Sequence, residues 1–188
     1  MAESHAPHGA EQVPTEKKLE DLYGLVEGIE IAMFTTRRLD GRLVSRPMAT
    51  QKRDAIADFW FVTEGESDKL DELEHDPHVN LSYYRDRTRE WVSVSGTARV
   101  SRDREQIRRL YQPDWRAWFA DEGGERNGGP DDPRLTLVLV EADSVVYMKS
   151  DTPRPVVLFE VVKGMITGKQ PDVGSVRVVS GSELHGES

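Results

Sequence analysis

Residues 29–51 read IEIAMFTTRRLDGRLVSRPMATQ. The first half is rich in β-branched and aromatic residues, and Asp40-Gly41 in the middle is a turn pair suited to a tight hairpin. The spacing predicts two antiparallel strands, Ile29–Arg37 and Leu43–Gln51. The second strand is unusual. Its last seven residues, SRPMATQ at 45–51, combine an arginine, a proline and small or polar side chains, a poor filling for a hydrophobic core. Proline within a sheet belongs on an edge strand, and small residues along such an edge let a flat group approach the backbone.

Working outward, Pro14 opens a helical pattern in which Leu19, Leu22, Leu25 and Val26 share a face, with Gly28 as its expected stop. DFWFVT, Asp58–Thr63, is a third strand. Ser67–His75 has helical spacing through Leu70 and Leu73, with Ser67 a candidate N-cap and Asp76-Pro77 an end signal. Strands resume at His78–Tyr84 and Glu90–Val100. In the latter, Trp91, Ser93 and Ser95 alternate with Val92 and Val94. Asp103–Trp118 is helical but divided by Pro113. Residues 121–133, DEGGERNGGPDDP, have the composition of a mobile loop. Leu135–Met148 is the last long strand, and 156–166 reads as a strand or a short helix, the helix being favoured. The expected organisation is a leader at 1–13, a single domain at 14–168 and a flexible tail at 169–188. Six strands joined by hairpins and short helices predict a mainly β fold with α elements: an antiparallel barrel or sandwich with peripheral helices.

Composition narrows the function. The chain of 188 residues has a net charge of −9 and no cysteine. The charge argues against general nucleic-acid binding, which needs a basic face. Without cysteine there is no disulfide framework and no thiolate nucleophile. No run approaches the roughly 18 apolar residues that span a bilayer, so neither a nucleic acid nor a membrane is an expected partner, and a cytoplasmic setting is expected. The five histidines are scattered, and no metal-ligand spacing or nucleophile–base order is present.

One segment carries chemistry. In FVTEGESDK, Phe61–Lys69, a strand runs through a glycine turn into a helix whose first backbone N–H groups are unpaired and whose dipole favours an anion. Thr63 and Ser67 add hydroxyls and Lys69 a positive charge, which suits a phosphate. The ordinary alternative is that Ser67 caps the helix and Lys69 is solvated. If the second and third strands are neighbours, Arg46 and the backbone of Met48, Ala49 and Thr50 face the same ligand.

The order IAMFTT, DGRLVSRPMATQ, FWFVTEGESDKLDEL, DPHVNLSYY and WVSVSGTARV resembles the pyridoxamine 5'-phosphate oxidase-like superfamily of FMN-binding split barrels. More narrowly it resembles the general stress protein 26-type branch. The likeness runs from Leu19 to Gly168, and SRPMATQ, the Thr63–Ser67–Lys69 spacing and WVSVSG are its most specific parts. It implies a six-stranded antiparallel split barrel with FMN held between the subunits of a homodimer. Arg46, Pro47, Met48 and Ala49 would line the isoalloxazine edge, Val62 and Thr63 the ribityl-phosphate chain, and Ser67 and Lys69 the phosphate. DWRAWF, Asp114–Phe119, is a candidate second contributor through Trp118, although Trp115, Trp118 and Phe119 suit a core equally well. The implied activity is a flavin-dependent oxidoreductase acting on an unidentified small molecule, and the general stress branch implies a link to stress response. The alternative is a non-catalytic flavin-binding stress or sensor protein. The chain departs from the oxidase proper at its end, VSGSELHGES, so oxidation of pyridoxamine phosphate is not expected. It departs also at Asp68, an acid before Lys69 that would either weaken FMN retention or pair with a neighbouring arginine.

Overall fold

A computed structural model describes residues 13–150 and 174–186. Helix α1, Thr15–Ile29, presents Leu22, Leu25 and Val26 to the interior. It runs through Gly28, because one helical glycine costs only about 1 kcal/mol. The stop is Glu30, at φ 66°. Strands β1, Ile31–Arg37, and β2, Leu43–Ala49, form the expected hairpin. Gly41 in its turn sits at φ 81°, a conformation open to glycine at no steric cost. Then follow β3, Phe59–Glu64; α2, Asp68–His75; β4, His78–Arg85; and β5, Glu90–Ser101. Pro113 divides the next helical stretch as its ring geometry requires, into α3, Arg104–Leu110, and a 3-10 turn, Pro113–Trp118.

The long strand β6, Leu135–Lys149, organises what remains. One edge pairs with β5. The other pairs with β3 through residues 135–140 and with a seventh strand, β7, Ser175–Ser180, through residues 144–149. A short helix α4, Gly181–His185, follows. Residues 175–186 therefore belong to the domain, where sequence composition suggested a flexible tail and six strands. The expected leader, Val13 apart, and the expected helix at 156–166 lie outside the described residues. Among the described residues, no helix is long and apolar enough to cross a membrane.

All pairings are antiparallel, in the order β2-β1-β4-β5-β6-β3. The strands β2 and β3, anticipated as possible neighbours, stand at opposite ends of this order. They meet again because the sheet curls, and one backbone bond, Gln51 N–H to Trp60 O at 3.0 Å, bridges them. The sheet does not close: it is a split barrel, with the split between β2 and β3.

The curl creates two cores. Inside, Phe34, Phe61, Leu81, Val94, Val145 and Tyr147 pack with the apolar stripes of α1 and α2. Outside the β3–β6 pair, Trp60, Leu137 and Leu139 are covered by Ile107, Leu110, Trp115 and Phe119. The remaining outer face has no such cover. There the register aligns Pro47, Met33, Ser82, Ser93, Val146 and Val178 in one row across six strands. Beside them Tyr84, Trp91, Met148 and Val176 form another. Ile31, Met33, Tyr84, Val176 and Val178 on this face are exposed.

Candidate functional site

The split positions the candidate residues. At one end lies the Gln51–Trp60 bridge, beside a groove of about 870 Å³ lined by Ala49, Gln51, Lys52, Trp60, Arg109 and Asp114 among others. Towards the other end β2 contributes Arg46 and β3 contributes Thr63. Because β2 heads the strand order, its far edge is unpaired in the ladder and offers backbone polar groups to a ligand in the split.

Side-chain alternation divides SRPMATQ. Arg46 and Met48 point inward; Pro47 and Ala49 point outward, beside Met33 and Ile31. The four share an edge through their backbone, and not a side-chain face. Val62 likewise turns away from Thr63 and packs against the outer core. Trp118 is 82% exposed and is not bonded into the group around Lys69. The neighbouring Trp115 is buried, with Nε1–H donating to Gln51 Oε1 at 2.9 Å. Of the aromatic trio, two members are core anchors and one faces solvent.

The structure brings Thr63, Ser67 and Lys69 together. Lys69 Nζ donates to Thr63 Oγ1 and to Ser67 Oγ, both at 2.6 Å. Ser67 holds the N-cap position of α2 without a side-chain cap bond; its hydroxyl serves the lysine instead. The turn that permits this carries Gly65, whose N–H donates to Arg134 O at 2.7 Å. A Cβ there would stand 3.2 Å from that oxygen and 2.9 Å from Thr136 Oγ1, so the approach requires the smallest residue. Lys69 is half-buried, and among the described residues no carboxylate lies within salt-bridge distance of it. Burial, and then the Arg46 charge, hold its pKa below the usual lysine value; Glu72, Glu64 and Asp68 partly offset them.

Arg46 faces the same end of the split. Its Nη1 donates to Thr36 Oγ1 and to Glu72 Oε2, each at 2.8 Å, and its Nη2 to Glu72 Oε1 at 3.2 Å. Thr36 in turn donates to Glu72 Oε2 at 2.6 Å. Burial pushes the Glu72 carboxyl up, but the bonds from Arg46 and Thr36 outweigh it and the group sits below its ordinary value. Thr36 and Glu72 were not singled out from the sequence. Glu72 stands three residues after Lys69 and so shares its helix face, a readable signal; Asp68, the acid that drew attention, is exposed.

The arrangement is therefore two cations and three hydroxyls at the rim of a curled sheet, with one buried carboxylate behind them. Three of the five Arg46 N–H groups are engaged with protein. The ensemble is rich in donors, and a phosphate monoester, an acceptor-only anion, fits it. The residues present suit a flavin mononucleotide with its phosphate on Lys69.

Comparison with known proteins identifies the family. The family model described as pyridoxamine 5'-phosphate oxidase like matches residues 17–172. Protein bli-3 of Neurospora crassa is 37% identical over 176 residues, covering 92% of this chain and 84% of that protein. A solved structure described as a putative general stress protein 26 from Jannaschia sp. CCS1 superposes with TM-score 0.66 at 23% identity, covering 88% of this chain and 99% of the other. A pyridoxamine 5'-phosphate oxidase-related, FMN-binding protein from Nostoc punctiforme has TM-score 0.55 at 14% identity over 95% and 98% of the two chains. A general stress FMN/FAD binding protein from Xanthomonas citri has TM-score 0.54 at 24% identity over 69% and 87%. By fold, family model and relative alike, the chain belongs to the pyridoxamine 5'-phosphate oxidase-like family.

Proposed function

We propose that this protein binds FMN in the split between β2 and β3 and works in the cytoplasm as a flavin-dependent oxidoreductase on a small molecule, in a stress-related role. The observation that carries the reading is the Lys69 cradle: a half-buried ammonium held by two hydroxyls, with Arg46 nearby. In this reading Lys69, Thr63 and Ser67 hold the phosphate, Val62 flanks the ribityl chain, and the unpaired edge at Arg46–Ala49 meets the isoalloxazine ring. Bound flavin supplies the hydride or electron chemistry, while the protein positions it and tunes it by hydrogen bonds. The relatives described as FMN-binding, FMN/FAD-binding and general stress proteins support the cofactor class and the stress link.

The proposal includes a homodimer. Its support is the outer sheet face, where Ile31, Met33, Tyr84, Val176 and Val178 stay exposed around Ser82 and Ser93; large apolar side chains left uncovered on one sheet face suit an interaction surface. Light scattering of the purified chain with flavin bound tests this part, and a monomer would refute it.

The cradle is tested by titrating FMN and riboflavin against wild type and Lys69→Ala. Losing a charge-assisted contact of about 1.5–3 kcal/mol lowers FMN affinity about 10- to 150-fold. Riboflavin, which has no phosphate, stays within twofold. An unchanged ratio of the two affinities would remove Lys69 from the site.

A further inference from the structure

The cradle contains a carboxylate that a phosphate site does not need. Glu72 lies one helical turn from Lys69 and is buried, with both oxygens on Arg46 and one on the Thr36 hydroxyl. With Arg46 and Lys69 positive and Glu72 negative, the three groups carry a formal charge of +1 rather than +2.

Resting on the flavin-phosphate reading above, we propose that Glu72 is a built-in stand-in for the ligand's phosphate. It holds Arg46 neutralised and in place while the cradle is empty, and its charge holds back affinity for a phosphorylated flavin. The bidentate geometry of the Arg46–Glu72 contact is the one an arginine offers a phosphate. Removing one partner of a buried ion pair destabilises a fold, because the other charge is left uncompensated. A dianion arriving at Lys69 would supply that compensation. Glu72 therefore trades tight phosphate binding for a stable empty site. The bland role for Glu72, a simple brace for Arg46, makes the opposite prediction for affinity: loss of the brace weakens FMN binding.

The experiment titrates FMN and riboflavin against the full chain in wild type and Glu72→Gln, which keeps the volume and an acceptor oxygen for Arg46. The expected result is an FMN affinity raised by about tenfold, the size of a like-charge repulsion relieved at intermediate dielectric. Riboflavin affinity stays within twofold, and the flavin-free protein melts lower. An FMN affinity that is unchanged or reduced in folded Glu72→Gln overturns the proposal.

A second comparison stands in case that variant does not fold. Arg46→Met combined with Glu72→Met replaces the ion pair by apolar volume and keeps the charge at +1. FMN affinity within about threefold of wild type is expected there, against a loss of about tenfold or more for Arg46→Met alone, where Glu72 stays charged and unpaired. Equal losses in the single and double variants overturn the proposal. Lys69→Ala separates the two levels. If it leaves the FMN-to-riboflavin ratio unchanged, the phosphate reading falls and this inference with it. If it lowers the ratio while Glu72→Gln fails to raise it, this inference falls alone.

Discussion

Two arginines in this molecule sit in networks of carboxylates, and they are built to opposite ends. Arg134 is 3% exposed and nearly saturated, with four of its five N–H groups bonded: Nε and Nη2 donate to Asp132, Nη1 to Glu122 and Nη2 also to Ala120 O. Asp132, wholly buried, also accepts from the backbone N–H groups of Gly128 and Arg134. The network pins residues 120–134 onto the start of β6. Arg46 is less buried, shares one carboxylate with a threonine, and among the described residues keeps two N–H groups outside protein bonds, beside a lysine with no carboxylate there within salt-bridge distance. The buried Arg134 with its two carboxylates is a staple; the more open donor set around Arg46 suits the proposed site. Both networks touch the same turn, since Arg134 O receives the Gly65 N–H, so the staple holds the floor on which the cradle is built.

The contrast breaks first at Asp132. Asp132→Ala leaves a buried guanidinium short of its main partner, and a loss of about 3–5 kcal/mol in urea unfolding is expected. FMN affinity, measured well below the melting transition, stays within twofold of wild type. A variant of normal stability with impaired FMN binding would show the staple to be part of the site.

Acid sharpens the same point. The Arg134 hydrogen bonds, outweighing burial, hold the Asp132 carboxyl down at about 2. Because the folded value is depressed, this contribution is present in full above the ordinary carboxylate range near pH 4. It is lost as pH falls through the folded value. About 2.5 kcal/mol of stability should disappear between roughly pH 4 and pH 2, and the Asp132→Asn variant should lack that part of the slope. An identical acid profile in wild type and variant would show that Asp132 titrates normally.

The cradle should behave in the reverse way to the staple. Lys69→Ala, which costs FMN affinity as set out above, is expected to change unfolding free energy by no more than about 0.5–1 kcal/mol, because its partners are two hydroxyls rather than a buried charge. A loss of stability on the Asp132 scale would make Lys69 a staple too. The smallest effect is expected at Trp118. With 82% of it exposed, Trp118→Ala leaves unfolding within about 0.5 kcal/mol, while light scattering and flavin titration report any role it has across the proposed dimer.

How much of this was legible follows from the range of the contacts. The Thr63–Ser67–Lys69 group spans seven residues with a glycine turn inside it, so local chemistry displayed it directly. The β1–β2 hairpin was equally plain, since its register is set by its own turn. The Arg46–Glu72 pair joins a strand to a helix 26 positions on, and no local pattern announces which acid an arginine will find. Residues 121–133 form the loop that their glycines and aspartates announce, but composition is silent about an Asp132–Arg134 pairing two residues apart. Strand β7 was obscured because Val176 and Val178 face outward and only Val179 is fully buried. Its signal looked like a brief apolar patch in a polar tail.

The shared strand β6 carries a consequence for the order of folding. Hairpins β1–β2 and β4–β5 close short loops and can form early. The β3–β6 ladder joins residues roughly 75 positions apart, such as Val62 and Leu137, and must wait for a slow chain closure. Until then β3 has no ladder partner, and neither the Lys69 turn nor the Gln51–Trp60 bridge has a fixed frame. The proposed cradle is thus among the last parts of the chain to form, and in the proposed reading a flavin would meet a chain whose ladder is already closed.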